Sequence, residues 1–185
     1  MKCLVVAVVL ALGATSSPEN FSKEDLKKAL DSTYNLWTVV RNFQRDADGG
    51  PVSFVYDETV SLGGDEYQFT HYFKVAGPWI AVLLYGSLED ENEGVVLYIK
   101  EKEGGGKGNK HVLRALDKEN NCFILTYKNA TTDLVQCSLH VPEKIIFSEG
   151  SQGALQCEKL YEKYCEKGIR HTIYTNKCRE NLPQA

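Results

Sequence analysis

Asn120–Cys137 reads NNCFILTYKNATTDLVQC, two apolar runs bounded by cysteines and broken by an Asn129-Ala130-Thr131 sequon. Side chains alternate across a strand. If Cys122 points outward, toward a helix later in the chain, then Phe123, Leu125 and Tyr127 point inward. The second run is less simple. A period of two puts Asp133, Val135, Cys137 and Leu139 on one face. An inward Asp133 then carries Cys137 inward with it unless a bulge intervenes, whereas a disulfide from Cys137 to Cys165 or Cys178 needs it outside.

The same pattern extends upstream. YNLWTVVRNF (34–43), VSFVYDETV (52–60), EYQFTHYFKV (66–75), GPWIAVLLYG (77–86), VVLYIKEK (95–102) and HVLRALDK (111–118) join NCFILTYK (121–128) and TTDLVQCSLHV (131–141) as eight strand candidates. The turn-rich RDADGGP, the acidic SLEDENEG and the glycine-rich EGGGKGNK separate some of them. Spacing this regular argues for an antiparallel meander and against β-α-β units. Ser22-Lys-Glu-Asp25 has the form of a capping box, and Leu26, Ala29 and Leu30 give the helix after it a narrow apolar face. Near the end, Ala154, Cys157, Leu160, Tyr161, Tyr164 and Cys165 fall at helical spacing, with Gly168 as the C′ residue. The expected fold is all-β: an eight-stranded antiparallel up-and-down barrel of the lipocalin kind, with a short N-terminal helix and a packed C-terminal helix. A β-sandwich is the alternative.

The opening MKCLVVAVVLALGATSS has a basic start, a short apolar stretch and small residues at Ala14 and Ser16. It reads as a signal peptide over residues 1–16, leaving one domain over 17–185 and a secreted, extracellular protein. The net charge of −4 and the scattering of basic residues argue against nucleic acid as a partner. No later apolar run approaches the ~20 residues of a membrane-spanning helix. Past the signal segment the cysteines are Cys122, Cys137, Cys157, Cys165 and Cys178, an odd set. In an oxidising compartment one is left free or joins a second chain in a disulfide-linked dimer. Their spacing contains no C-x2-C pair and no metal is expected. Asn20 and Asn129 head sequons and are glycosylation candidates.

Catalytic signatures are missing. The histidines form no H-E-x-x-H, EGSQG (149–153) has Glu149 where a nucleophile elbow needs glycine, and DADGG is a turn with only part of a calcium loop. No enzyme and no cofactor are expected. An eight-stranded barrel instead offers a cavity sized for one small ligand.

These residues resemble the tick salivary lipocalins, the family of histamine-binding proteins. Its amine binders show Cys-Asp followed by an aliphatic residue, then Glu-Leu with an aromatic residue, then a further cysteine. The matching positions here are Cys122-Phe123-Ile124, Asp133-Leu134-Val135 and Cys157. The resemblance implies a Cys122–Cys157 disulfide, with Cys137, Cys165 and Cys178 unassigned. KKALDSTYNLWTVVRNFQRD (27–46) is similar to the family's first helix and strand. It implies a ligand site with Phe43 as an aromatic contact and Asp46 and Asp133 as carboxylates. Tyr98 and His111 stand at aromatic positions, and Asp31 at an acid of a second, weaker site. Gly77, Leu113 and Phe123 fall where that second site needs acids, which implies its loss. Two carboxylates and aromatic faces suit a buried cation.

Three readings follow. The first is sequestration of a small host mediator, histamine or another biogenic amine, in the barrel to blunt host inflammation and defence. The second is a hydrophobic mediator such as a leukotriene, fatty acid or sterol, with Arg41 or Arg114 for a carboxylate. The third is a protein-binding inhibitor of complement or immune cells acting through EGGGKGNK.

Overall fold

The structure, a computed structural model, describes residues 20–148, 152–165 and 169–182. The segment read as a signal peptide and the helix-ending Gly168 lie outside the described residues.

The first helix, α1 (Lys23–Leu30), begins at the expected capping box. Ser22 Oγ accepts from the Asp25 N–H at 3.2 Å, and Asp25 Oδ2 accepts from the Ser22 N–H at 3.0 Å. Leu26, Ala29 and Leu30 are buried to 2% exposure or less. They pack with Leu36, Tyr67, Phe69, Leu88 and Phe123 inside the barrel, so the helix plugs one end. Leu-to-Ala changes in such a plug typically cost about 2–5 kcal/mol.

The strands are β1 (Leu36–Arg41), β2 (Asp46–Ala47), β3 (Gly50–Gly63), β4 (Glu66–Val75), β5 (Trp79–Glu91), β6 (Gly94–Lys100), β7 (Asn109–Asp117), β8 (Cys122–Lys128), β9 (Val135–Pro142) and β10 (His171–Thr172). From β3 to β9 each pairs antiparallel with the next. β1 pairs with β9 along its length and with β3 only at Leu36↔Asp57 and Trp37↔Tyr56, closing eight strands into a barrel. Beyond that contact β10 lies on β1 at Val40 and Arg41. Ile173, the next residue, packs on Val52, Val55 and Val75, covering the seam between β1 and β3.

Two boundaries differ from the sequence reading. The acidic stretch read as a turn is mostly strand: β5 runs to Glu91, and only Asn92-Glu93 turns before Gly94, whose φ of +110° suits glycine. Leu88 takes an inward place, while Glu89 and Glu91 meet Lys107 and Lys110 at 2.6 and 2.7 Å. Ion pairing with neighbouring lysines lets an acidic run stay extended. Conversely, β9 starts only at Val135, because residues 129–134 form a turn in which Asp133 adopts φ +60°.

After α2 (Glu143–Ile146), α3 (Gln152–Tyr164) packs on β7, β8 and β9 from outside. Cys157, Tyr161 and Cys165 are buried there, and Leu160 and Tyr164 pack at the edge. Cys122–Cys157 is bonded, as the resemblance implied, and Cys137 pairs with Cys165. The odd cysteine is Cys178, in a 3-10 helix over Asn176–Asn181, fully buried with Trp37 and Tyr56. A thiol enclosed in this way is not presented to a second chain, which weighs against the disulfide-linked dimer.

Candidate functional site

Above the plug the barrel holds a cavity of about 840 Å³, within the range of small-molecule sites. Its walls follow from strand alternation. On β8, Cys122 faces α3 while Phe123, Leu125 and Tyr127 face the cavity, the orientation expected from the sequence. On β9, Gln136, Ser138 and His140 point in, and Cys137 and Leu139 point out. On β4, Tyr67, Phe69, His71 and Phe73 all face inward. The floor is apolar, with Tyr67 stacked on Phe69 at 4.6 Å between centroids.

Five polar side chains stand out in this shell. Arg41 is 3% exposed and lines the cavity. Its Nη2 donates to the Val52 carbonyl at 2.9 Å, and its guanidinium lies 5.1 Å over the Phe43 ring. Burial, with Arg45 nearby, pushes its pKa down to about 10, so it remains a cation at neutral pH. Among the described residues no carboxylate lies within ion-pair distance of it, and its buried Nε has no hydrogen-bond partner. Asp57 and His71, opposite each other on β3 and β4, are joined at 2.5 Å between Oδ1 and Nδ1. His140 Nε2 shares a 2.9 Å hydrogen bond with Ser138 Oγ, and its ring stacks on Phe123. Burial pushes His140 down to about 4. His111 stacks on Tyr127, and burial lowers its pKa, which keeps it neutral at pH 7.

The residues expected at a ligand site divide between cavity and exterior. Phe43, Asp46 and His111 border the cavity, with Asp46 exposed at the mouth and accepting from Gln44 Nε2 at 3.3 Å. Tyr98 does not: between inward Leu97 and Ile99 it takes the outer face, against Val96 and Val112, and its hydroxyl donates to Glu91. Asp133 sits in the exposed β8–β9 turn, paired with Lys128 at 2.7 Å. Asp31 ends α1 as its exposed C-cap and does not border the cavity. Of the two arginines considered for an acidic ligand, Arg114 is outside, bonded through Nε to Thr126 Oγ1 at 2.9 Å, and Arg41 is inside. Asn20 is exposed before α1. Asn129 stands at the cavity rim, its Oδ1 accepting from the Thr131 and Thr132 N–H groups.

Sequence reasoning missed Asp57, His71 and His140. His71 had a legible signal, since it continues the inward series Tyr67, Phe69, Phe73 at period two. No group of His, Cys, Asp and Glu among the described residues is placed to hold a metal ion, and no described helix is long and apolar enough to cross a membrane.

Comparison with solved structures agrees with this geometry. Insecticyanin from the tobacco hornworm Manduca sexta superposes with a TM-score of 0.52 at 10% identity, covering 87% of this chain and 85% of that one. Japanin from Rhipicephalus appendiculatus, bound to cholesterol, gives 0.50 at 15% identity over 80% of this chain and 96% of its own. Apocrustacyanin C2 gives 0.50 at 12% identity over 86% and 90%. No protein-family model and no curated protein matches the chain in sequence. The closed eight-stranded barrel with its outer C-terminal helix is the lipocalin fold.

Proposed function

We propose that this protein is a secreted, non-enzymatic lipocalin that sequesters an apolar small molecule carrying an acidic head group, a host lipid mediator being the class that fits. The observation that carries the reading is Arg41: a cation buried in the cavity wall with no carboxylate of the described residues within ion-pair distance. Leaving a charge buried and unpaired costs several kcal/mol, and a ligand carboxylate supplies the missing partner in the fork geometry a guanidinium prefers. The apolar floor suits a hydrocarbon body, and the cholesterol in Japanin is a precedent for an apolar ligand in such a barrel. The disulfides and the two sequons at exposed or rim positions support an extracellular, glycosylated protein.

A biogenic amine is the second reading, favoured by Asp46 and Phe43 at the mouth. It lacks Asp133 and Tyr98, which lie outside the cavity, and it sets a cation beside Arg41. Titration of delipidated protein with octadecanoic acid and with histamine separates the two. Tight binding of the acid that is lost in Arg41→Gln is expected. Sub-micromolar histamine binding with no response to the acid would favour the amine instead.

A further inference from the structure

Deeper than Arg41, the cavity wall carries a second polar pair that the acidic head does not explain. Asp57 and His71 face the cavity with side chains 13% and 17% exposed. Asp57 Oδ1 is taken by His71, but Oδ2 accepts no hydrogen bond among the described residues, and no Lys or Arg lies within ion-pair distance of the carboxylate. On β1 Asp57 stands opposite Leu36, and on β9 His140 stands opposite Phe123, so the pair sits where the apolar floor begins, with buried Thr38, the partner of His140, two residues above Leu36. A carboxylate held in such a shell is costly unless its remaining oxygen meets a donor.

We propose that the Asp57–His71 pair is a second recognition station, taking a hydroxyl on the ligand's chain while the acidic head lies at Arg41. This rests on the acidic-ligand reading and sharpens it: the preferred ligand is a hydroxylated fatty acid and not a plain one. A hydroxyl suits the pair because it donates to a carboxylate that imidazole has already half satisfied. An ammonium would meet Arg41 in the same cavity. The register sets the span. Asp57 lies opposite Leu36 on β1, and Arg41 is five residues further along that strand, roughly 16 Å at ~3.3 Å per residue. The ligand is therefore an amphiphile whose hydroxyl stands well away from its carboxylate.

The test uses delipidated full-length protein, octadecanoic acid, and a panel of monohydroxyoctadecanoic acids with the hydroxyl moved along the chain. One hydroxyl position is expected to bind roughly tenfold or more tightly than octadecanoic acid, the effect of one hydrogen bond to a charged group. Asp57→Asn should erase that preference, with a thermal melt to show the variant is folded. The panel on the unaltered protein reads the station without any variant. If octadecanoic acid binds through Arg41 but no hydroxyl position improves on it, the station is wrong and the acidic-ligand reading stands. A preference that persists in Asp57→Asn also overturns the station. If none of the acids binds, both fall.

Discussion

Arg41 on β1 reaches across the barrel seam and donates from Nη2 to the carbonyl of Val52 on β3 at 2.9 Å. The two strands pair with each other only at Leu36 and Trp37, so this bond links them where no ladder does. One side chain thus serves both the wall and the ligand, and the two roles separate on substitution. Arg41→Met removes a buried charge with no carboxylate of the described residues in ion-pair distance, and the relieved desolvation opposes the about 1 kcal/mol of the lost hydrogen bond. The melting temperature is expected to hold or rise while affinity for octadecanoic acid falls about a hundredfold or more. A melting temperature lowered by several degrees with binding intact would make Arg41 a clamp of the seam and nothing else.

The two disulfides hold one helix, since Cys157 and Cys165 both fasten α3 to the outer face of β8 and β9. The bonded residues are 35 and 28 apart in sequence, and removing either bond by paired alanine substitution should cost about 2–5 kcal/mol in urea unfolding. Losing both should release α3 and expose Cys122, Cys137 and Tyr161, seen as faster amide exchange confined to α3 and the outer side of β8. If reduction leaves the unfolding midpoint unchanged, packing of Leu160, Tyr161 and Tyr164 is enough to hold the helix.

Strand alternation made the barrel legible in the sequence, because the inward residues of β4 and β8 keep one phase from end to end. The phase failed where the backbone interrupts it. Asp133 was given the phase of Cys137, but the strand begins two residues after it, so the conflict between an inward acid and an outward cysteine disappears. Asp57 was hidden because β3 shifts register between Ser53 and Tyr56 and again between Thr59 and Ser61. Tyr98 missed the cavity by one residue, with Leu97 and Ile99 on either side of it facing in. Composition misled once: the acids of SLEDENEG meet lysines brought in by the β6–β7 connection and β7, contacts that no local reading contains.

Cys178 is fully buried beside Trp37 and Tyr56, and burial pushes its pKa up, so little thiolate forms at neutral pH. The native protein should therefore run as a monomer on a non-reducing gel. One thiol per chain should react with Ellman's reagent only after denaturant is added. A disulfide-linked dimer, or immediate labelling of the native protein, would mean that the C-terminal segment opens readily from the barrel.

His140 makes the fold sensitive to acid. Its pKa in the folded chain is about 4, because burial against Phe123 and in the cavity wall disfavours the charged ring, while an unfolded histidine titrates near 6.5. Between those values the unfolded chain binds a proton that the folded chain refuses. Stability is therefore full above about pH 6.5 and falls as the pH drops toward 4, at up to about 1.4 kcal/mol per pH unit. His111, also lowered by burial, adds to the slope in the same direction. Asp25 acts further down: its carboxyl is held at about 2, chiefly by the Lys118 ammonium, so its contribution is lost as the pH falls from the ordinary carboxylate value of 3.8 toward 2. Urea unfolding at pH 7.0, 5.5 and 4.5 should show wild-type stability falling across the series and His140→Gln falling distinctly less, with the two diverging most at pH 4.5. Parallel curves would show that His140 takes up its proton in the folded barrel at the ordinary pH, and that the cavity wall around it is open to water.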